Sequence, residues 1–317
     1  MTRFLVLATT AVTACSNAPA RDPAASTTDA TDATDATDAT DATGASDGAQ
    51  PAHGSVAPGL AWQWQLQGTV NETVLDGVAG PKLMDIDMFA ATPELVARLH
   101  AKQITVICYV ESGDYATSRP DAGDFAPSIV TTPLPGFPDE RFINIRALDA
   151  PAGPTGRTLR QIMAARFDLA RAKNCDGVEP DLDDLHNYAT GYSITMADQL
   201  AYNAFLIGMA HDRGMSLGLK NGIGDDPVTT QAFVDQSIAH GTDWAINEEC
   251  NQFAECGAYA AFITTGRAVL QVEYLDNQTI GYAGANGTCA KDNAANFDGI
   301  VKDSSSSLQA LPRIACR

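Results

Sequence analysis

Acidic residues recur in this chain at the ends of short apolar runs, spaced two apart. Leu83-Met84-Asp85-Ile86-Asp87-Met88 and Gly177-Val178-Glu179-Pro180-Asp181 each place two acids on one side of an extended strand. In Val269-Leu270-Gln271-Val272-Glu273-Tyr274, Gln271 and Glu273 face away from Leu270 and Val272. Two further runs end in Lys220-Asn221 and in Asn247-Glu248-Glu249. One acid at a strand end is ordinarily solvated or caps the next helix, and Asp183, Asp184, Asp225 and Asp226 are read that way. Inward acids on several strands are harder to explain as structure, because burying unpaired charge is costly. Few cations are at hand to pair them; Lys220, Arg119 and Arg146 are the candidates.

Paired carboxyls suit the cleavage of an acetal. One, protonated, gives a proton to the leaving oxygen; the other, ionised, attacks the anomeric carbon or activates water. Repulsion and unequal burial separate their pKa values, so one pH can hold both forms. Trp62, Trp64, Tyr109, Tyr115 and Tyr274 offer flat faces for sugar rings. Clustered acids also serve hard divalent metals, but no such spacing stands out. The five histidines are scattered and no Cys-x-x-Cys occurs, so no metal is expected.

The elements that must carry these residues alternate between β-type and helical runs, which favours a parallel α/β sheet. Candidate strands are 61–67, 82–89, 105–111, 141–146, 177–181, 216–221, 244–248 and 268–274. Candidate helices are 92–102, 156–173, 195–213, 227–240 and 253–265, the third capped by Thr195 or Ser193. Eight strands predict a (β/α)8 barrel, whose chemistry sits at the C-terminal strand ends. An open doubly wound sheet is the alternative. No glycine-rich phosphate motif follows the first strand, so a nucleotide fold has no support.

Of 317 residues, 39 are acidic and 20 are Lys or Arg, for a net charge of −19. Such a surface repels nucleic acid and anionic lipid and attracts a polycation. Met1–Ala14 reads as a secretory signal, and Val12-Thr13-Ala14-Cys15 as a bacterial lipobox with Cys15 as the lipidated residue, the alternative being an ordinary signal peptide discarded with Cys15 and a secreted protein. Thr28–Ala42 is five copies of Thr-Asp-Ala, and residues 16–58 read as a flexible spacer. The expected division is an address over 1–15, the spacer over 16–58, a barrel over 59–275 and an extension over 276–317. The six remaining cysteines agree with an oxidising compartment. Cys250 and Cys256 are close enough to close a small loop, Cys289 with Cys316 could staple the extension, and Cys108 reads as a buried thiol.

The chain resembles glycoside hydrolase family 114, the endo-α-1,4-polygalactosaminidases. The resemblance rests on Trp62-Gln-Trp-Gln-Leu66, Asp85-Ile-Asp-Met-Phe89, Cys108 to Tyr115 with Arg119-Pro-Asp121, and Gly177-Val-Glu-Pro-Asp181. It continues through Thr195 to His211, Gly218-Leu-Lys-Asn221, Asn247-Glu-Glu-Cys250 with Glu255-Cys256, and Val272-Glu-Tyr274. It implies a (β/α)8 barrel that cuts α-1,4-linked galactosamine polymers internally without a cofactor, with Asp181 and Glu248 as the catalytic pair. Strand parity alone puts Glu248 with Trp244 and Ile246, so a bulge is expected at that tip, with Glu249 as the fallback.

Trp62, Asp85, Asp87, Tyr109, Glu111, Tyr115, Glu179, Lys220, Asn221, Glu273 and Tyr274 are expected to line the sugar subsites, with Lys220 also supporting the adjacent carboxylate. Arg119 and Asp121 are expected to shape the loop after the third strand. The expected partner is a cationic amino-sugar polysaccharide, met by a monomer that touches membrane only through its lipid anchor at the cell envelope. Two rivals are a lipoprotein that binds such a polymer without cutting it and a metal-dependent polysaccharide deacetylase.

Overall fold

The computed structural model describes residues 56–70, 72, 80–276, 281–306 and 308–317. The signal segment, Cys15 and the spacer as far as residue 55 lie outside the described residues.

Eight parallel strands form the central sheet: β1 (Trp62–Gln65), β2 (Leu83–Asp87), β3 (Thr105–Glu111), β7 (Gly177–Asp181), β8 (Ser216–Lys220), β9 (Trp244–Glu248), β10 (Val269–Tyr274) and β11 (Asp298–Lys302). A ninth, β12 (Ile314–Ala315), joins β11 antiparallel. Side chains span the seam between β1 and β11. Trp62 Nε1 donates to the Asp298 carbonyl at 2.6 Å and Lys302 Nζ to the Trp64 carbonyl at 2.8 Å. The result is a nearly closed (β/α)8-type barrel, as expected.

Two strand assignments change. Residues 141–146 do not enter the barrel. Their first part belongs to β6 (Phe137–Ile143), which with β4 (Asp114–Ala116) and β5 (Val130–Leu134) makes a separate antiparallel sheet in the order β4-β6-β5. The missing barrel strand is β11, inside the stretch read as an extension. Its register on β10, Leu270↔Asp298 to Tyr274↔Lys302, makes that stretch part of the barrel wall.

The helices α1 (Pro93–Ala101), α2 (Leu159–Ala172), α3 (Met196–Asp212) and α4 (Pro227–Ala239) fall where their patterns predict; α5 (Ala260–Thr264) is shorter, and α6 (Thr288–Ala295) precedes β11. Their starts are set chemically: Thr195 and Asp198 form a reciprocal cap on α3, and the Asp226 carboxylate caps α4. Helices α1 to α3 bury Val96, Leu99, Phe167 and Leu206 in one layer of core outside the barrel, and Phe233, Val234 and Phe262 build another around α4 and α5. Inside the barrel, Trp62, Leu83, Ile107, Trp244 and Leu270 pack a floor. Gly218 is needed there, since a Cβ would lie 2.5 Å from the Trp244 ring.

Three disulfides join Cys108–Cys175, Cys250–Cys256 and Cys289–Cys316. The last two were expected. Cys108 is not a thiol: it points outward from β3 and ties that strand to the segment leading into β7.

Candidate active site

Above the apolar floor, the strand ends turn polar. Lys220, at the tip of β8 and 1% exposed, is the hub. Its Nζ lies 3.0 Å from Glu179 Oε1, 3.2 Å from Glu248 Oε2 and 4.0 Å from Asp181 Oδ1. The ammonium also sits 4.6 Å from the Trp64 ring centroid, and Trp64 Nε1 donates to Glu179 Oε2 at 3.1 Å. One buried cation thus holds three carboxylates from two strands, a grouping that would be prohibitive if unpaired.

Asp181 and Glu248 share this lysine, so their facing oxygens are at most about 7 Å apart, no farther than carboxyls that serve one glycosidic bond. Each takes a phenol as well. Tyr109 Oη donates to Asp181 Oδ2 at 2.6 Å, and Tyr274 Oη donates to Glu248 Oε1. These bonds fix both carboxylates from the side opposite the lysine.

The backbone beneath the pair is fixed too. Ser112 and Gly113 donate their N–H groups to the Asp181 carbonyl, both at 3.1 Å. A Cβ on Gly113 would lie 2.1 Å from the Leu182 carbonyl oxygen, so this crossing demands glycine. Asn221 sits at φ 51° and accepts the Glu248 N–H on its side-chain oxygen at 3.0 Å. Its role is to position Glu248, because that oxygen already holds the strand.

No bulge is required at Glu248. The β9–β10 register runs regularly from Ala245↔Val269 to Glu248↔Val272. Trp244, Ile246 and Glu248 do share a face, and it is the inner one: the barrel is apolar at its floor and polar at its mouth.

Asp85 lies inside the same cluster and is fully buried. Burial first, then the neighbouring Glu179 carboxylate, pushes its carboxyl well above the ordinary range, which favours its protonated form next to Glu179. Asp87 and Glu111 take a different cation. Arg119 donates from Nε to Glu111 Oε1 and from Nη2 to Asp87 Oδ2, both at 2.5 Å. Burial works against the guanidinium charge, but these two carboxylates outweigh it and raise the Arg119 pKa. Asp121 pairs with Arg166, so Arg119 and Asp121 do shape the loop after β3. Arg146 pairs instead with Asp198, at 3.9 Å.

Three expected sugar contacts lie elsewhere. Glu273 is on the outer face of β10, accepting from Asn251 N at 2.8 Å and Gln271 Nε2 at 2.7 Å. Tyr274 takes the inner face in its place. Trp62 is 1% exposed and closes the seam, too deep for a sugar. Tyr115, on β4, packs edge-on against Phe125 at 5.5 Å in a cleft with Arg141.

Two acids set aside as solvated are structural to the site. Asp183 accepts from Lys220 N at 3.2 Å, and Asp184 from Gly222 N at 3.1 Å. Burial raises both, Asp184 to about 7 and Asp183 well above its ordinary value with help from the Asp184 charge. The only trace of them in the sequence is the doubled Asp after β7. Among the described residues, no group of three or more His, Cys, Asp or Glu is placed to hold a metal ion; the Lys220 ammonium occupies the point where the carboxylates meet.

The family model for glycoside-hydrolase family GH114 matches residues 39–314. No curated protein sequence matches the chain. Among solved structures, Aspergillus fumigatus Ega3, in complex with galactosamine, is 31% identical. The match covers 83% of this chain and 97% of that one, at a TM-score of 0.68. The glycoside hydrolase domain of PelA from Pseudomonas aeruginosa is 11% identical over 81% of this chain and 98% of its own, at a TM-score of 0.55, a likeness of fold.

Proposed function

The chain belongs to glycoside-hydrolase family GH114 and is a glycoside hydrolase, and from that premise we propose that it cuts α-1,4-linked galactosamine-type polysaccharide internally through Asp181 and Glu248. The carrying observation is the convergence of these two carboxylates on Lys220 Nζ at the barrel mouth. The 31% identical Ega3, solved with galactosamine, supports the sugar class.

One member of the pair gives its proton to the glycosidic oxygen as the bond to the anomeric carbon breaks. Its ionised partner either attacks that carbon or takes a proton from the attacking water. Lys220 favours the ionised form of whichever carboxyl has lost its proton, and the two phenols keep both carboxyls aimed at the bond. The raised pKa of Asp85 works against a fourth negative charge in the cluster.

The acidic surface supports a cationic polymer as partner. The lipobox at Cys15 and the Thr-Asp-Ala spacer support export and tethering at the cell envelope, and a monomer acting alone completes the proposal. The test is to incubate purified protein with partly deacetylated galactosaminogalactan and follow the oligosaccharides released, with and without EDTA. A ladder of short products that EDTA leaves unchanged is expected. No products would overturn the proposal, and products that EDTA abolishes would favour metal-dependent chemistry.

A further inference from the structure

Two buried side chains on the outer helices send their polar ends to the same strand end. They are Arg166 on α2, 2% exposed, and Tyr202 on α3, 1% exposed. Arg166 Nη1 donates to the Glu111 carbonyl at 2.5 Å, and Tyr202 Oη donates to the Ser112 carbonyl at 2.7 Å. The Gly113 carbonyl, next in line, accepts from the Ile143 N–H on β6 at 3.1 Å. Three consecutive carbonyls are thus held by donors from three different elements.

The segment held in this way takes hold of Asp181 in turn. The Asp181 carbonyl accepts from Ser112 N and Gly113 N, both at 3.1 Å, and from Ser112 Oγ at 2.8 Å. Three donors exceed the two lone pairs a carbonyl offers, so the contact does more than satisfy a buried group. Directly after it the chain turns through Leu182 at φ 58°, a conformation that a leucine adopts only where its surroundings impose it. Arg166 also calls for a reason. Its Nε and Nη2 pair with Asp121, and its guanidinium lies 5.5 Å from the Phe89 ring centroid and 5.3 Å from that of Phe125. Apolar side chains in place of a buried ion pair are often as stable or more so, so stability alone does not explain this one. Apolar packing would fill the same space, but it would not hold a carbonyl.

We propose that Tyr202 and Arg166 are positioning residues for hydrolysis: from the outer helices they set the 111–113 segment, and that segment fixes the backbone from which the Asp181 carboxylate is aimed. Both are buried in the layer outside the barrel, and neither touches substrate. A displacement of about 1 Å at a reacting group costs on the order of 10²-fold in rate. A hydroxyl two hydrogen bonds away therefore bears on kcat while leaving substrate binding alone. This deepens the proposed function and rests on it for the role of Asp181.

Tyr202→Phe removes one hydroxyl and keeps the ring, and it tests the inference in two ways. With partly deacetylated galactosaminogalactan, its kcat is expected to fall at least about fivefold while KM stays within about twofold of wild type. On an Asp181→Asn background the same change should cost less than about twofold, because it acts through that carboxylate. Val96→Ala, a core change on α1 that also lowers the melting temperature, is expected to leave kcat within about twofold. Amide hydrogen exchange at Ser112 and Gly113 should quicken at least about fivefold in Tyr202→Phe and not in Val96→Ala. An unchanged kcat, an equal loss on both backgrounds, or exchange no faster than in wild type overturns the assignment. Wild type that releases no oligosaccharides is the separate failure of the function reading, and the exchange rates then still uphold or overturn the hold on Asp181.

Discussion

The protein buries carboxyl groups on both faces of its sheet and manages them in opposite ways. Inside the mouth, Glu179, Asp181 and Glu248 surround Lys220, and their charges are partly offset by this one cation brought in on β8. Outside, Glu273 on β10 and Asp292 on α6 are bridged by Asn251, which donates its N–H to the first and its Nδ2 to the second. Burial raises Glu273 to about 8 and Asp292 to about 7, so this pair meets the cost of desolvation by holding protons. Acids kept for chemistry must change charge, and a fixed cation lets them; acids kept for packing need only be neutral.

Removing either carboxyl of the proposed catalytic pair should have the largest effect. Asp181→Asn and Glu248→Gln should each lower kcat by about 10²–10⁴-fold, measured as reducing ends released, with far-UV circular dichroism unchanged. Activity within threefold of wild type in either variant would move the pair elsewhere, Glu249 being the first place to look.

Lys220→Met sharpens the account of the cation. Without it, the carboxylates hold their protons to higher pH, so the acid limb of the pH–kcat/KM profile should move up by about one unit. Stability should fall by about 3–5 kcal/mol, because Glu179 is left buried without its ammonium. A profile that stays in place would reduce Lys220 to a packing residue.

The outer group predicts a gentler effect with a defined sign. Glu273 has a folded pKa of about 8, above its unfolded value of about 4.3. As pH rises between those values, the unfolded chain releases a proton that the folded chain keeps, so stability falls through that window and levels off above it. Glu273→Gln should therefore match wild type near pH 4 and melt several degrees higher at pH 8. Parallel melting curves across that range would contradict the protonated state.

Much of this was readable from the residues. Apolar runs alternating with capped helices gave the barrel, and paired acids at strand ends gave Asp85, Asp181 and Glu179. The errors have common physical sources. β-type composition does not distinguish a barrel strand from a hairpin, so 141–146 reads as barrel wall, while Asp298–Lys302, short and bounded by charge, does not read as a strand. Parity assigns residues to faces but does not say which face is inside. Polarity alone therefore puts Glu273 in the mouth and makes Glu248 look displaced, because the interior changes from Trp244 to Glu248 along a single strand. Asp183 and Asp184 act on backbone N–H groups, which leave no spacing to read.

The most direct test of the central claim compares the Asp181→Asn, Glu248→Gln and double variants in one reducing-end assay on galactosamine polymer. Two groups that act as a unit are lost together, so the double variant should be no slower than the slower single variant within about threefold. Losses that multiply in the double variant would show two independent contributions and contradict a carboxyl pair working through one bond.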